Sequence, residues 1–158
     1  MGDIFSGSEI VEIGIRIEKN GRDFYTALEV QSKDIRVQEV FNFLAGEEEK
    51  HIKVFQGILE KADSSKGESQ VSDDYFAYMN VLASEHVFTK ENTGRAIASA
   101  IRNDNEALAK AIIFEKESII FYEGIKKIVP DSERKIIDYL IEQEKGHLKE
   151  LTEIKGNI

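Results

Sequence analysis

The sequence predicts an all-α fold: a bundle of four long helices with one long crossover connection that carries a short extra helix. Three observations predict it. Apolar residues recur at spacings of three and four along most of the 158 residues, which is the helical period, and no segment alternates as a strand would. A single proline, Pro130, interrupts the chain. The chain also repeats itself, with one helical hairpin near each end.

Taken in order, the first helix is expected over about Ser8 to Val30 and the second over about Asp34 to Ala62, with "QSKD" as the break between them. "DSSKGESQ", Asp63 to Gln70, is the polar linker. Ser72 or Asp73 then opens a short helix in "SDDYFAYMNVLASEHVF", and "TKENTGRAIASAIRN" continues irregularly or helically. The third long helix should cover about Asn105 to Ile128. Pro130 stops it, because the residue before a proline is pushed out of the helical region. Asp131 or Ser132 is expected to cap a fourth helix that runs to about Lys155.

The repeat aligns "IEKNGRDFYTAL" from Ile17 with "FEKESIIFYEGI" from Phe114, so Glu18 matches Glu115 and Tyr25 matches Tyr122. In the second and fourth helices, Phe41, Leu44, Glu48, His51, Phe55 and Ile58 match Ile137, Leu140, Glu144, His147, Leu151 and Ile154. These positions form the stripe that faces a partner helix in a bundle. The stripe is apolar except at the glutamate and the histidine. In the first and third helices the stripe is likewise broken by one glutamate, Glu18 or Glu115. Four carboxylates and two imidazoles therefore point at one interior.

Unpaired carboxylates are costly to bury, and four together repel one another. No lysine or arginine lies near them on the four stripes. A bound cation is the remaining way to neutralise them, and two divalent ions cancel four carboxylates while leaving the histidines to bind as neutral imidazoles. A solvated surface role for each Glu-x-x-His pair would explain neither the apolar stripe nor the two further glutamates at matched places.

Composition narrows the chemistry. The absence of cysteine removes disulfides, thiolate sites and iron-sulfur clusters, so a metal would be held by oxygen and imidazole. Thirty acidic and twenty-one basic residues give a net charge of -9, which argues against nucleic acid and anionic membranes as partners. No apolar run is long enough to span a bilayer, and "MGDIFSGSEI" lacks the pattern of a signal peptide, so a cytoplasmic location is the expectation. Gly2 and Ser6 match the loose myristoylation pattern, but no basic patch supplies a second anchor. The length fits one domain over residues 1–158.

One Glu from each of two helices with a Glu-x-x-His from each of the other two resembles the ferritin-like dimetal carboxylate proteins. "IEKNGRDFY" and "LAGEEEKHIKVF" are most similar to the diiron domain of rubrerythrin, over nearly the whole chain. The resemblance implies a ferritin-like bundle with a two-metal site, most naturally iron, with manganese or zinc as alternatives. Glu18, Glu48 and His51 would supply one half of that site and Glu115, Glu144 and His147 the other, with Glu48 and Glu144 bridging and carrying the chemistry. It also implies an oxidoreductase that reduces hydrogen peroxide, a role in oxidative stress. Ferroxidase action in iron handling, with dioxygen as oxidant, and non-catalytic metal binding are the alternatives.

Departures from the resemblance shape further expectations. A rubredoxin-like module would need cysteines, so an external electron donor, such as a redox protein, is expected. Rubrerythrin carries an additional glutamate one turn along its third helix; the corresponding positions around Glu115 are Ile112 and Ser118. Bacterioferritin places a haem methionine after its second-helix glutamate, where Glu49 stands, so no haem is expected. The sequence ends at Ile158 without a clear fifth helix, which disfavours a cage and leaves a homodimer as an option. Tyr25 and Tyr122 lie two turns beyond Glu18 and Glu115, so each can reach the opposite glutamate across an antiparallel helix. His86 lacks a partner in the repeat and is expected at the surface or in crossover packing. Glu47, Glu49, Glu117 and Glu142 are expected to be solvated.

Overall fold

The computed structural model describes residues 5–64, 70–88 and 91–158. Four long helices dominate: α1 (Gly7–Gln31), α2 (Ile35–Ser64), α5 (Asp104–Lys126) and α6 (Asp131–Gly156). Helices α1 and α2 pack along one another as one hairpin, and α5 and α6 as the other. The crossover between the hairpins holds two short helices, α3 (Asp73–Ser84) and α4 (Gly94–Ser99), where the sequence predicts one. Near the chain start, β1 (Phe5–Ser6) pairs antiparallel with β2 (Gln70–Val71), joining the segment before α1 to the crossover. This two-residue pair is too short for alternation to reveal, and the all-α class stands.

The helix starts follow from capping chemistry. Ser72, Thr93 and Asn103 each accept a hydrogen bond from a backbone N–H in the first turn of α3, α4 and α5, at 3.2, 3.2 and 2.8 Å. At α6 the expectation of a side-chain cap fails: Pro130 occupies the cap position and makes no such bond, and Asp131 is already helical. Its ring fixes φ at −56°, so the entry into the helix is set by the backbone. The carboxylates of Asp131 and Glu133 then face the positive end of the helix dipole. Helix α5 ends at Lys126, ahead of the turn that leads into Pro130.

The two hairpins meet on an aromatic-rich core. Phe24, Tyr25, Phe41, Phe55, Phe114, Phe121 and Tyr122 are buried along the bundle axis, and Phe88 closes it from the crossover. Gly21 lets α1 and α5 approach, because a Cβ there would collide with the ring of Phe114. Gly94 does the same for α4, which lies directly on the backbone of α1 at Asn20 and Phe24. His86 belongs to this crossover packing and is not at the surface. Its Nδ1 accepts from Phe88 N–H at 3.1 Å, its ring stands edge-on to Phe114, and burial pulls its pKa down to about 4. Among the described residues, no helix is long and apolar enough to cross a membrane.

Candidate metal centre

Each long helix brings its stripe to the bundle axis at the same level. Glu18 from α1, Glu48 and His51 from α2, Glu115 from α5, and Glu144 and His147 from α6 converge there. The four glutamates are 0% exposed, His51 1% and His147 6%. The expected six residues therefore meet at one place.

Their atoms form two overlapping groups. Ligand-type atoms of Glu18, Glu48 and His51 lie within 4.8 Å of one another, and so do those of Glu48, Glu115, Glu144 and His147. Glu48 belongs to both. Glu144 also extends across: its Oε1 lies 2.8 Å from His51 Nδ1, and its Oε2 lies 3.9 Å from His147 Nδ1. The halves mirror each other, with His51 Nδ1 3.5 Å from Glu18 Oε2 and His147 Nδ1 3.8 Å from Glu115 Oε1. The two imidazoles are stacked with centroids 6.2 Å apart.

Both carboxylate oxygens of Glu18, Glu48 and Glu144, Oε2 of Glu115 and Nδ1 of both histidines have no aligned hydrogen-bond partner although they are buried. The 2.8 Å contact of His51 with Glu144 is close enough for an ion pair but is not directed as a hydrogen bond. Among the described residues, no lysine or arginine pairs with any of the four glutamates. Buried polar atoms are normally satisfied, so a convergent set of orphaned acceptors fits a bound cation. Oxygen and imidazole donors suit iron, manganese or zinc.

Without a cation the cluster must hold protons. Burial pushes Glu18 up to about 7, against the pull of His51. Burial, and then repulsion from Glu144, raises Glu48 well above the carboxylate range. For His51 burial acts downward, but the carboxylates of Glu144 and Glu18 overcome it and raise its pKa. Burial lowers His147. A metal that enters displaces these protons.

The family model for rubrerythrin matches residues 9–155. The chain belongs to the rubrerythrin family. Among solved structures, this rubrerythrin-family chain is similar to a proposed ferritin-like diiron-carboxylate protein from Thermotoga maritima. The two are 25% identical, with a TM-score of 0.72, and the match covers 98% of this chain and 97% of that one. A hypothetical protein from Pyrococcus furiosus has the same fold at 22% identity and a TM-score of 0.69, covering 96% of this chain and 89% of the other. No curated protein matches significantly. The bundle is therefore ferritin-like, and its buried Glu/His cluster is of the dimetal kind.

The groups around the cluster are less symmetrical than the cluster. Tyr25 donates to Glu115 Oε1 at 2.8 Å, as the repeat predicts, while the hydroxyl of Tyr122 is buried without a partner. Ser118, one turn beyond Glu115, is fully buried and its hydroxyl is also unpartnered. Glu47 is 7% exposed and not solvated as expected; its charge acts on His147 of α6, and Lys50 bonds the carboxylate at 3.2 Å. Glu117 is half-buried and accepts from Val87 N–H at 2.6 Å. Glu49 and Glu142 are more exposed and pair with Arg22 and Lys145. Gln143, which sequence reasoning passed over, bonds His51 at 3.1 Å. The signal was available: Gln143 and Glu47 are matched positions, each directly before the paired Glu144 and Glu48.

Proposed function

We propose that this chain is a non-haem diiron oxidoreductase that reduces hydrogen peroxide. The observation that carries the reading is the set of buried, orphaned carboxylate and imidazole atoms shared between two overlapping groups. Glu18, Glu48 and His51 would hold one iron and Glu115, Glu144 and His147 the other, with Glu48 and Glu144 reaching both. Two ferrous ions, when bound, would supply the two electrons that, with two protons, reduce one peroxide to two waters without releasing a radical.

The surrounding residues support that chemistry. Tyr25 Oη–H holds Glu115 in place, so this carboxylate enters the cluster already oriented. Phe41, Phe55, Leu44 and Leu140 line the stripe above and below the ligands and exclude bulk water. The reducing equivalents come from a separate redox protein.

The test is stopped-flow mixing of the ferrous protein with each oxidant. Peroxide should oxidise it much faster than dioxygen, with one peroxide consumed per pair of ferrous ions. His51→Ala or His147→Ala should slow the reaction by roughly 10 to 100-fold. A faster reaction with dioxygen, with ferric iron accumulating far beyond two per chain, rejects the peroxidase reading in favour of iron storage.

A further inference from the structure

A histidine can ligate through either ring nitrogen, and the partner of the other nitrogen decides which one carries the proton. His51 presents Nδ1 to the cluster, and its Nε2 lies 3.1 Å from Oε1 of Gln143. The amide of Gln143 is itself held, because its Nε2 donates to the hydroxyl of Tyr139 at 3.1 Å. With Nε2 turned to Tyr139, the amide presents Oε1, an acceptor, to the histidine. Tyr139 stands 63% exposed on α6, so a continuous chain of hydrogen bonds joins the surface to one histidine of the cluster.

Among the described residues, the other histidine has no equivalent. Glu47, at the position matching Gln143, bonds Lys50; its charge acts on His147, but no hydrogen bond joins the two. The outer neighbour of His147 is Phe43, whose ring meets the imidazole edge-on with centroids 5.8 Å apart. One imidazole is thus pinned by an amide and the other rests against a phenyl ring.

We propose that Gln143 is a positioning residue that fixes His51 as an Nδ1 ligand, braced by Tyr139, and that it makes the two metal positions unequal. The inference rests on the dimetal reading and deepens it. Its amide leaves the proton on His51 Nε2, turns the Nδ1 lone pair to the cluster, and removes the ring rotation that would otherwise be lost on binding.

Cobalt(II) is the probe, titrated into the full metal-free chain, with the paramagnetically shifted imidazole N–H signals followed by NMR in water and deuterium oxide. The parent protein should bind two ions. Gln143→Leu should weaken one of them by roughly 10 to 100-fold and speed the deuterium exchange of one imidazole N–H, leaving the second ion and the second signal unchanged. Gln143→Glu keeps an acceptor at the same reach and should retain both affinities, while Tyr139→Phe should give a smaller loss at the same position. If Gln143→Leu fails to fold, Tyr139→Phe carries the test through the same signal. Two ions bound, with neither position or both equally affected by the variants, overturns the role of Gln143 and leaves the dimetal reading intact. Fewer than two ions in the parent overturns the dimetal reading and this inference with it.

Discussion

The buried carboxylate at the start of α6 and those at the bundle centre are treated differently by the chain. Glu133, at the start of α6, is 3% exposed, yet it sits at a helix N-terminus and Lys61 reaches it at 2.9 Å. Among the described residues, the four glutamates at the bundle centre have neither a helix end nor a lysine. The sequence contains 21 basic residues, and among the described residues none of them pairs there. The difference teaches that the central charge is left for something other than a side chain to neutralise, which is the strongest physical argument for a metal.

The largest expected effect breaks the comparison at its centre. Replacing Glu48 and Glu144 together with Leu should abolish metal binding and make the metal-free bundle more stable, by about 1 to 4 kcal/mol, because well-packed apolar residues outperform uncompensated buried charge. Thermal melts of the metal-free proteins check this. A double variant that melts below its metal-free parent would mean the carboxylates are not crowded.

The protonation of the cluster provides a second handle. Glu18, Glu48 and His51 all have folded-state pKa values raised above their unfolded values, so the stability tied to their protons is present at low pH and lost as pH rises. His86 works the other way, costing stability as pH falls from its unfolded value towards about 4. Above about pH 6.5, the unperturbed histidine value, only the first effect remains. The metal-free protein should therefore melt at least about 2 °C lower at pH 8 than at pH 6.5, whereas the metal-loaded protein should not. Equal slopes with and without metal would count against the protonated cluster.

The smallest effect sharpens the other side. Lys61→Met removes the cation from Glu133 and should cost about 1 kcal/mol, since the lysine is largely exposed and the helix N-terminus still favours the carboxylate. A urea titration measures it. No change at all would mean that the helix end alone suffices.

The sequence made the four long helices and the six central residues readable because periodicity reports which face each residue occupies, and the repeat reports which faces match. Tyr25 on Glu115 follows from the same geometry. What periodicity leaves out is how wide a face the neighbour covers. Glu47 lies about 100° around α2 from Glu48 and is still buried, a matter of packing and not of pattern. Helix α4 is too short, at six residues, to display a period, and its seat on α1 depends on Gly94 meeting Asn20 and Phe24 across the fold. The start of α6 departs from the expected side-chain cap because Pro130 sets the backbone without a side-chain bond. The contrast between Tyr25, which bonds Glu115, and Tyr122, whose hydroxyl has no partner among the described residues, is not contained in any single-helix pattern.

The measurement that bears most directly on the central claim is the metal content at saturation. Metal-free protein is incubated anaerobically with excess ferrous iron, freed of unbound ion, and analysed for iron per chain, with the Glu48→Leu/Glu144→Leu variant treated in parallel. Two ions per chain in the parent and none in the variant is the result the cluster geometry predicts. One ion or none in the parent, or two that persist in the variant, would contradict it.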